Sequence, residues 1–220
     1  MPDRDVDPRF DTQRLLAFSD GVLAIIITLL VLDLRAPIAA AGSSGLALAL
    51  LHMWPNLGAF LVSFLLVGVI WMNHHAMFRH IERSDHALLV INLLLLLCVA
   101  LIPFAAAVVS DNVRAAEEAR RTAALFYGGV LVIGGVFFNG VWWYAVRAGL
   151  SSRPQALRAM GRHFLLGPTI YGAAALVAFI DAAASLALYA ILIPYFAISP
   201  LWAGRMLTSP RQPGADKAPR

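Results

Sequence analysis

The sequence predicts an all-α integral membrane protein with six membrane-spanning helices. Hydrophobic residues make up 60% of the 220-residue chain and charged residues 14%, with a mean hydropathy of +0.75, well outside the range of soluble domains. The apolar residues are gathered into runs of about twenty, and twenty helical residues at ~1.5 Å each cross the roughly 30 Å hydrocarbon core of a bilayer. Several such runs leave no room for a separate soluble domain.

The first run, Arg14 to Leu34, reads RLLAFSDGVLAIIITLLVLDL and ends at Arg35-Ala36-Pro37, because the residue before a proline avoids the helical region. Residues 1–13 alternate Asp3, Asp5, Asp7 and Asp11 with Arg4 and Arg9, a pattern that predicts a solvated leader. A cleaved signal peptide is disfavoured, since its apolar core would be shorter and free of acids, whereas this one contains Asp20.

The second span is placed at 50–78, with Pro55 as a candidate for its true first turn and His52, Met53 and Trp54 at the interface. The third, 86–109, contains Pro103, which removes a backbone hydrogen bond and predicts a kink. Residues 110–121 read as a polar loop with one amphipathic turn. The fourth span, 122–146, carries Gly128, Gly129, Gly134 and Gly135 for close helix approach, and Trp142, Trp143 and Tyr144 as an interface belt. A basic loop is expected at 147–162. The fifth and sixth spans, 165–180 and 182–201, are separated only at Asp181, and a proline-rich tail follows at 208–220.

Charge distribution sets the orientation. With six spans, Arg35, Arg114, Arg120 and Arg121 are the only Lys or Arg residues on one side, out of 17 in the chain. The positive-inside rule therefore predicts both termini in the cytoplasm: a cytoplasmic leader at 1–13, a membrane domain at 14–207 and a cytoplasmic tail at 208–220 of a multi-pass cell-membrane protein.

Asp20 is the unusual residue of the first span, because a carboxylate at membrane depth costs roughly 2.5 to 3.5 kcal/mol on insertion scales and must face protein or water. At 100° per residue, Ile25, Leu29 and Leu32 share one face, flanked by Thr28 and continued backwards to Phe18, with no charge along it. Ser19 and Asp20 lie about 120 to 140° away from Ile25 and should point into neighbouring helices. Arg14, six residues upstream of Asp20 and about 240° around, is poorly placed to reach it. Asn73, His74, His75 and Asn92, on the second and third spans, are better candidate partners.

Arg14-x-x-x-Phe18-Ser19-Asp20 resembles the signature of the transmembrane protein 175 family of endosomal and lysosomal potassium channels and their bacterial relatives. The resemblance implies a cation channel whose first helix lines a central pore, four chains around one axis, and a hydrophobic constriction at Ile25 with Thr28, Leu29 and Leu32 as further pore-facing positions. It also implies a polar network joining Ser19 and Asp20 to neighbouring helices, which would fix the pore helix without touching the ion. One copy of the motif in the chain means one pore helix per chain, so a closed pore needs several copies.

Other chemistries are less well supported. His74, His75, His80, Glu82 and Asp85 cluster near a membrane face, but they form one histidine box where membrane di-iron oxygenases use several, and a metal needs three or four ligands with supporting partners. Cys98 is the only cysteine, so neither a disulfide within the chain nor a thiol metal site is expected. No Thr-Val-Gly-Tyr-Gly loop occurs, which excludes a carbonyl filter of that type. A proton-coupled transporter using Asp20 and the His74/His75 pair is the principal alternative of another class, but no internal repeat of the kind transporters show is found. The sequence thus points to a homotetrameric, potassium-permeable channel in the bilayer, with no enzyme activity, cofactor, resident metal or nucleic-acid partner. Proton or weakly selective monovalent-cation flow through the same pore is the second channel reading.

Overall fold

The structure is a computed structural model and describes residues 10–35 and 45–207. Most of the expected leader, the segment after Arg35 and the tail lie outside the described residues. The chain begins with a two-residue strand, β1 (Phe10–Asp11), paired antiparallel with β2 (Arg83–Ser84) in the turn between the second and third spans. The last residues assigned to the leader are therefore ordered. The first helix starts at Thr12 rather than Arg14, where the Thr12 hydroxyl donates to the Ile81 carbonyl at 2.9 Å.

Helix α1 (Thr12–Leu29) tightens into a 3-10 turn at Leu30–Asp33. Prolines then divide the next two apolar runs where the sequence places them. A short α2 (Gly45–His52) precedes α3 (Trp54–Phe78), with Pro55 in the first turn of α3, where its missing N–H has no helical partner to lose. The third run breaks at Leu101 into α4 (His86–Ala100) and α5 (Ile102–Asn112), with Pro103 in the first turn of α5. Asp85 caps α4, its Oδ1 accepting from the Leu88 N–H at 2.9 Å while Oδ2 accepts from the Tyr144 hydroxyl at 2.8 Å.

Two expected loops are shorter than their polarity suggested. The polar segment 110–121 is mostly helical, because α5 reaches Asn112 and α6 (Glu117–Arg147) begins with Glu117 and Glu118, acids that favour a helix N-terminus. The basic segment 147–162 is likewise overtaken by α7 (Pro154–Val177), which opens on a proline suited to that position. Helix α6 ends in a Schellman cap: Gly149 takes φ 67°, the Leu150 N–H reaches the Ala145 carbonyl at 3.0 Å, and the Leu150 side chain is buried. Asp181 then turns the chain into α8 (Ala182–Leu207), accepting from the N–H groups of Ala183 and Ala184 at 2.8 and 3.1 Å.

Among the described residues, four stretches are long and apolar enough to cross a membrane: Thr12–Asp33, Trp54–Phe78, His86–Asn112 and Glu117–Arg147. The apolar parts of the last two helices, Phe164–Val177 and Ala182–Ala197, are shorter. Helix α6 packs against α4, α5, α7 and α8, so the core lies around it. Its contact with α7 is close enough to exclude side chains: a Cβ on Gly135 would meet the Pro168 ring at 3.3 Å, and one on Gly161 would meet the Trp142 ring at 2.6 Å. Pro168 has no N–H to give the Phe164 carbonyl one turn earlier, and Asn139 Nδ2 donates to that carbonyl instead at 3.0 Å. Helix α1 packs on α3 and α4 at the edge of this bundle.

Candidate functional site

Helix α1 buries one face and leaves the other uncovered. Leu15, Ser19, Leu23, Ile26 and Leu30 recur at helical spacing and are buried against α3 and α4. Ile25 and Leu32 are 58% and 69% exposed, and Phe18, Thr28 and Leu29 are exposed with them. The uncovered residues thus include the entire stripe that periodicity assigned to a single face. It carries no charge between Phe18 and Leu32. The Thr28 hydroxyl is spent on its own helix, donating to the Ile25 carbonyl at 2.8 Å, so only its oxygen lone pairs are offered outward.

The buried face is held by a directional chain of hydrogen bonds. The Ser19 hydroxyl, fully buried, donates to the Leu15 carbonyl at 2.9 Å and accepts from Asn92 Nδ2 at 2.9 Å. Because Asn92 Nδ2 is the donor there, its Oδ1 is an acceptor and must take the proton of His74 Nε2, 2.9 Å away. His74 is thereby fixed as the Nε2–H tautomer, with its ring stacked on Phe78 at 4.4 Å between centroids. Its Nδ1 has no hydrogen-bond partner among the described residues. Three spans are joined by one serine, one asparagine and one histidine, all buried.

Asp20, the next residue along α1, leaves this chain and accepts from the Trp71 indole N–H on α3 at 3.0 Å. Trp71 was not among the partners considered from sequence, since a tryptophan in an apolar run gives no polar signal. Its indole N–H is nonetheless a donor that seeks an acceptor when withdrawn from water. The other candidates are placed elsewhere. Asn73 donates to the Val69 and Phe196 carbonyls at 3.0 and 3.3 Å, away from α1. His75 is exposed beside Trp71, with ring centroids 6.1 Å apart, and Arg14 is exposed.

The histidine-rich segment does not assemble a metal centre: among the described residues no group of three or more His, Cys, Asp or Glu side chains stands at metal-binding distance. His74 is committed to Asn92, and Asp85 to its cap and Tyr144. His80 lies in the turn after α3, where desolvation first, then the charges of Arg153 and Arg79, hold its pKa below the usual histidine value. Cys98 is buried on α4.

Chemically, the arrangement pairs a polar anchor with an uncharged, branched apolar face turned outward. Such a face has no ligand set for catalysis, but several copies converging on an axis would make a hydrophobic neck. Residues 14–103, which hold Ser19, Asp20, Trp71, His74 and Asn92, match the family described as endosomal/lysosomal potassium channel TMEM175. A potassium channel of Streptomyces collinus is 38% identical over 190 residues, covering 84% of this chain and 91% of that protein. The crystal structure of a lysosomal potassium-selective channel TMEM175 homologue from Chamaesiphon minutus aligns with a TM-score of 0.78 at 36% identity, over 86% of this chain and 97% of that one. The human endosomal/lysosomal proton channel TMEM175 is 35% identical over 108 residues, 46% of this chain and 21% of that protein. With a relative this similar over nearly its whole length and the motif of α1 built into the fold, the chain belongs to the TMEM175 family.

Proposed function

We propose that the protein is a potassium-permeable channel in which several chains bring their first helices together around a pore, with Ile25, Leu29 and Leu32 forming a hydrophobic neck and Thr28 beside them. The observation that carries this reading is the contrast within α1: a fully buried Ser19 locked to α3 and α4, and an Ile25 left 58% exposed on an uncharged stripe. The relatives from Streptomyces collinus and Chamaesiphon minutus, named as potassium channels, support potassium as the permeant ion. As a member of a channel family the protein carries out passive flow and is not an enzyme. We further take the assembly to be a homotetramer, each chain contributing six spans, with α7 and α8 supplying the shorter fifth and sixth and both termini in the cytoplasm.

A second reading, proton flow through the same pore, is favoured by the human relative, which is named a proton channel. Reversal potentials measured on purified protein in bilayers separate the two. A potential that follows the potassium gradient and ignores sodium and pH supports the first, and one that follows pH supports the second. Transport that needs a second coupled ion and never gives channel-like currents would replace both with a transporter.

A further inference from the structure

Away from α1, the bundle holds a partly open cavity of about 90 Å³ between α3, α4, α5, α6, α7 and α8. Its wall is largely apolar, with Leu95, Cys98, Val130 and Phe138 among the lining residues; of its three polar side chains Asn139 is already paired, donating to the Gly135 and Phe164 carbonyls and accepting from the Trp142 indole N–H, which leaves Asn73 and Tyr171. Both are more than nine-tenths buried, and each has an atom without a hydrogen-bond partner among the described residues: Asn73 Oδ1 and the Tyr171 hydroxyl. A buried polar atom left unpaired costs about 1 to 3 kcal/mol, so two from different helices lining one cavity need an explanation.

Their chemistry defines what would satisfy them. Asn73 uses its amide N–H groups on the Val69 and Phe196 carbonyls, so its Oδ1 can only accept. Tyr171, with its ring stacked on Phe196 at 5.5 Å, has a hydroxyl free to donate. A hydroxyl is the small neutral group that donates to one and accepts from the other at once. Water could do this at the polar end, but with Asn139 already engaged the largely apolar remainder of the wall offers it little, and apolar space of this kind stays dry. The cavity is smaller than the ~150 Å³ one that takes up benzene, which suits an aliphatic body of about three to five carbons.

We propose that each chain carries, inside its own helical bundle and apart from the pore face, a binding site for a small neutral alcohol, whose hydroxyl bridges Asn73 Oδ1 and the Tyr171 hydroxyl and whose hydrocarbon body fills the apolar remainder. The site lies on α3 directly beside His74, so its occupancy bears on the helix that anchors α1.

The probe is 1-butanol, compared with its isomer diethyl ether, which has the same atoms but no O–H to give Asn73. Cys98, the only cysteine, serves as reporter through the rate at which methyl methanethiosulfonate modifies it in full-length protein in nanodiscs. Butanol is expected to slow the modification saturably, with diethyl ether weaker. Tyr171→Phe should raise the half-effect concentration about five-fold, and Val130→Phe, or Val99→Leu if the larger side chain disturbs folding, should abolish the effect. Slowing that rises linearly with concentration, or is equal for ether and in Tyr171→Phe, reflects partition into lipid and overturns the proposal. No slowing at all leaves water as the occupant and overturns it as well. If Cys98 resists modification throughout, thermal unfolding decides: butanol must raise the midpoint of the wild type more than that of Tyr171→Phe, and equal shifts refute the site.

Discussion

Asn92 on α4 gives its amide N–H to the Ser19 hydroxyl of α1 at 2.9 Å and takes the Nε2 proton of His74 on α3 with its carbonyl oxygen at 2.9 Å. One side chain thus fixes the rotation of α1 relative to both neighbours, and with it the direction in which Ile25 points. Both ends of the amide are in use, so neither an acid nor an apolar residue can replace it.

Asn92→Leu should therefore leave the His74 N–H unpaired in the bundle and destabilise the protein by about 1 to 3 kcal/mol. Asn92→Asp, which keeps the acceptor and loses the donor to Ser19, should fall between it and the wild type. Thermal unfolding in one detergent is the check, and three coincident midpoints would mean that the network does not hold the bundle.

Asp20 and Trp71 form a separate tie. Asp20→Asn keeps an acceptor for the indole N–H and should preserve assembly, whereas Asp20→Leu and Trp71→Phe each remove the bond. The double variant Asp20→Leu with Trp71→Phe should be less harmful than the two single effects added together, because the partners interact directly. Strict additivity in unfolding free energies would show that the two residues act independently.

Two adjacent glycines on α6 should behave in opposite ways. A Cβ at Gly128 would collide with the Tyr189 hydroxyl and stand 2.8 Å from Ala175 Cβ, while one at Gly129 would meet nothing within 4 Å. Gly128→Ala is expected to cost about 1 to 3 kcal/mol through overpacking, and Gly129→Ala to be neutral or stabilising by up to ~1 kcal/mol through helix propensity. Equal midpoints for the two variants would contradict the close approach of α6 to α7 and α8.

Assembly gives a geometric test of the pore face. Cysteines placed at Ile25 or Leu29, in a Cys98→Ser background, should cross-link between chains near a common axis, and the protein should run as a tetramer in mild detergent. A cysteine at Ser19, which is fully buried within its own chain, should not cross-link. Cross-linking at Ser19 but never at Ile25 would reverse the orientation of α1.

The sequence carried the parts of this arrangement that depend on one helix at a time. Run length locates the four long spans, Pro55 and Pro103 mark the breaks, and the 100° periodicity separates Ser19 from Ile25. What depended on pairing between helices was not legible. Trp71 gave no sign that its indole N–H would meet Asp20, and Asn73 and His74 are neighbours in sequence yet point to α8 and α4 respectively. The starts of α6 and α7 differ from the expected spans for another reason. Charged first turns such as Glu117 and Glu118 read as loop by polarity, although a helix continues readily once it leaves the apolar slab, where its charges meet water and its own dipole.

The central claim is that Ile25 lies at the narrowest part of a potassium pathway, and single-channel recording of Ile25→Asn beside the wild type tests it most directly. A ring of branched apolar side chains impedes ions by excluding water, so a polar replacement should wet the neck. The expected result is a higher conductance with weaker discrimination between potassium and sodium. Conductance and reversal potential both unchanged from the wild type would place the constriction elsewhere and remove Ile25 from the pore.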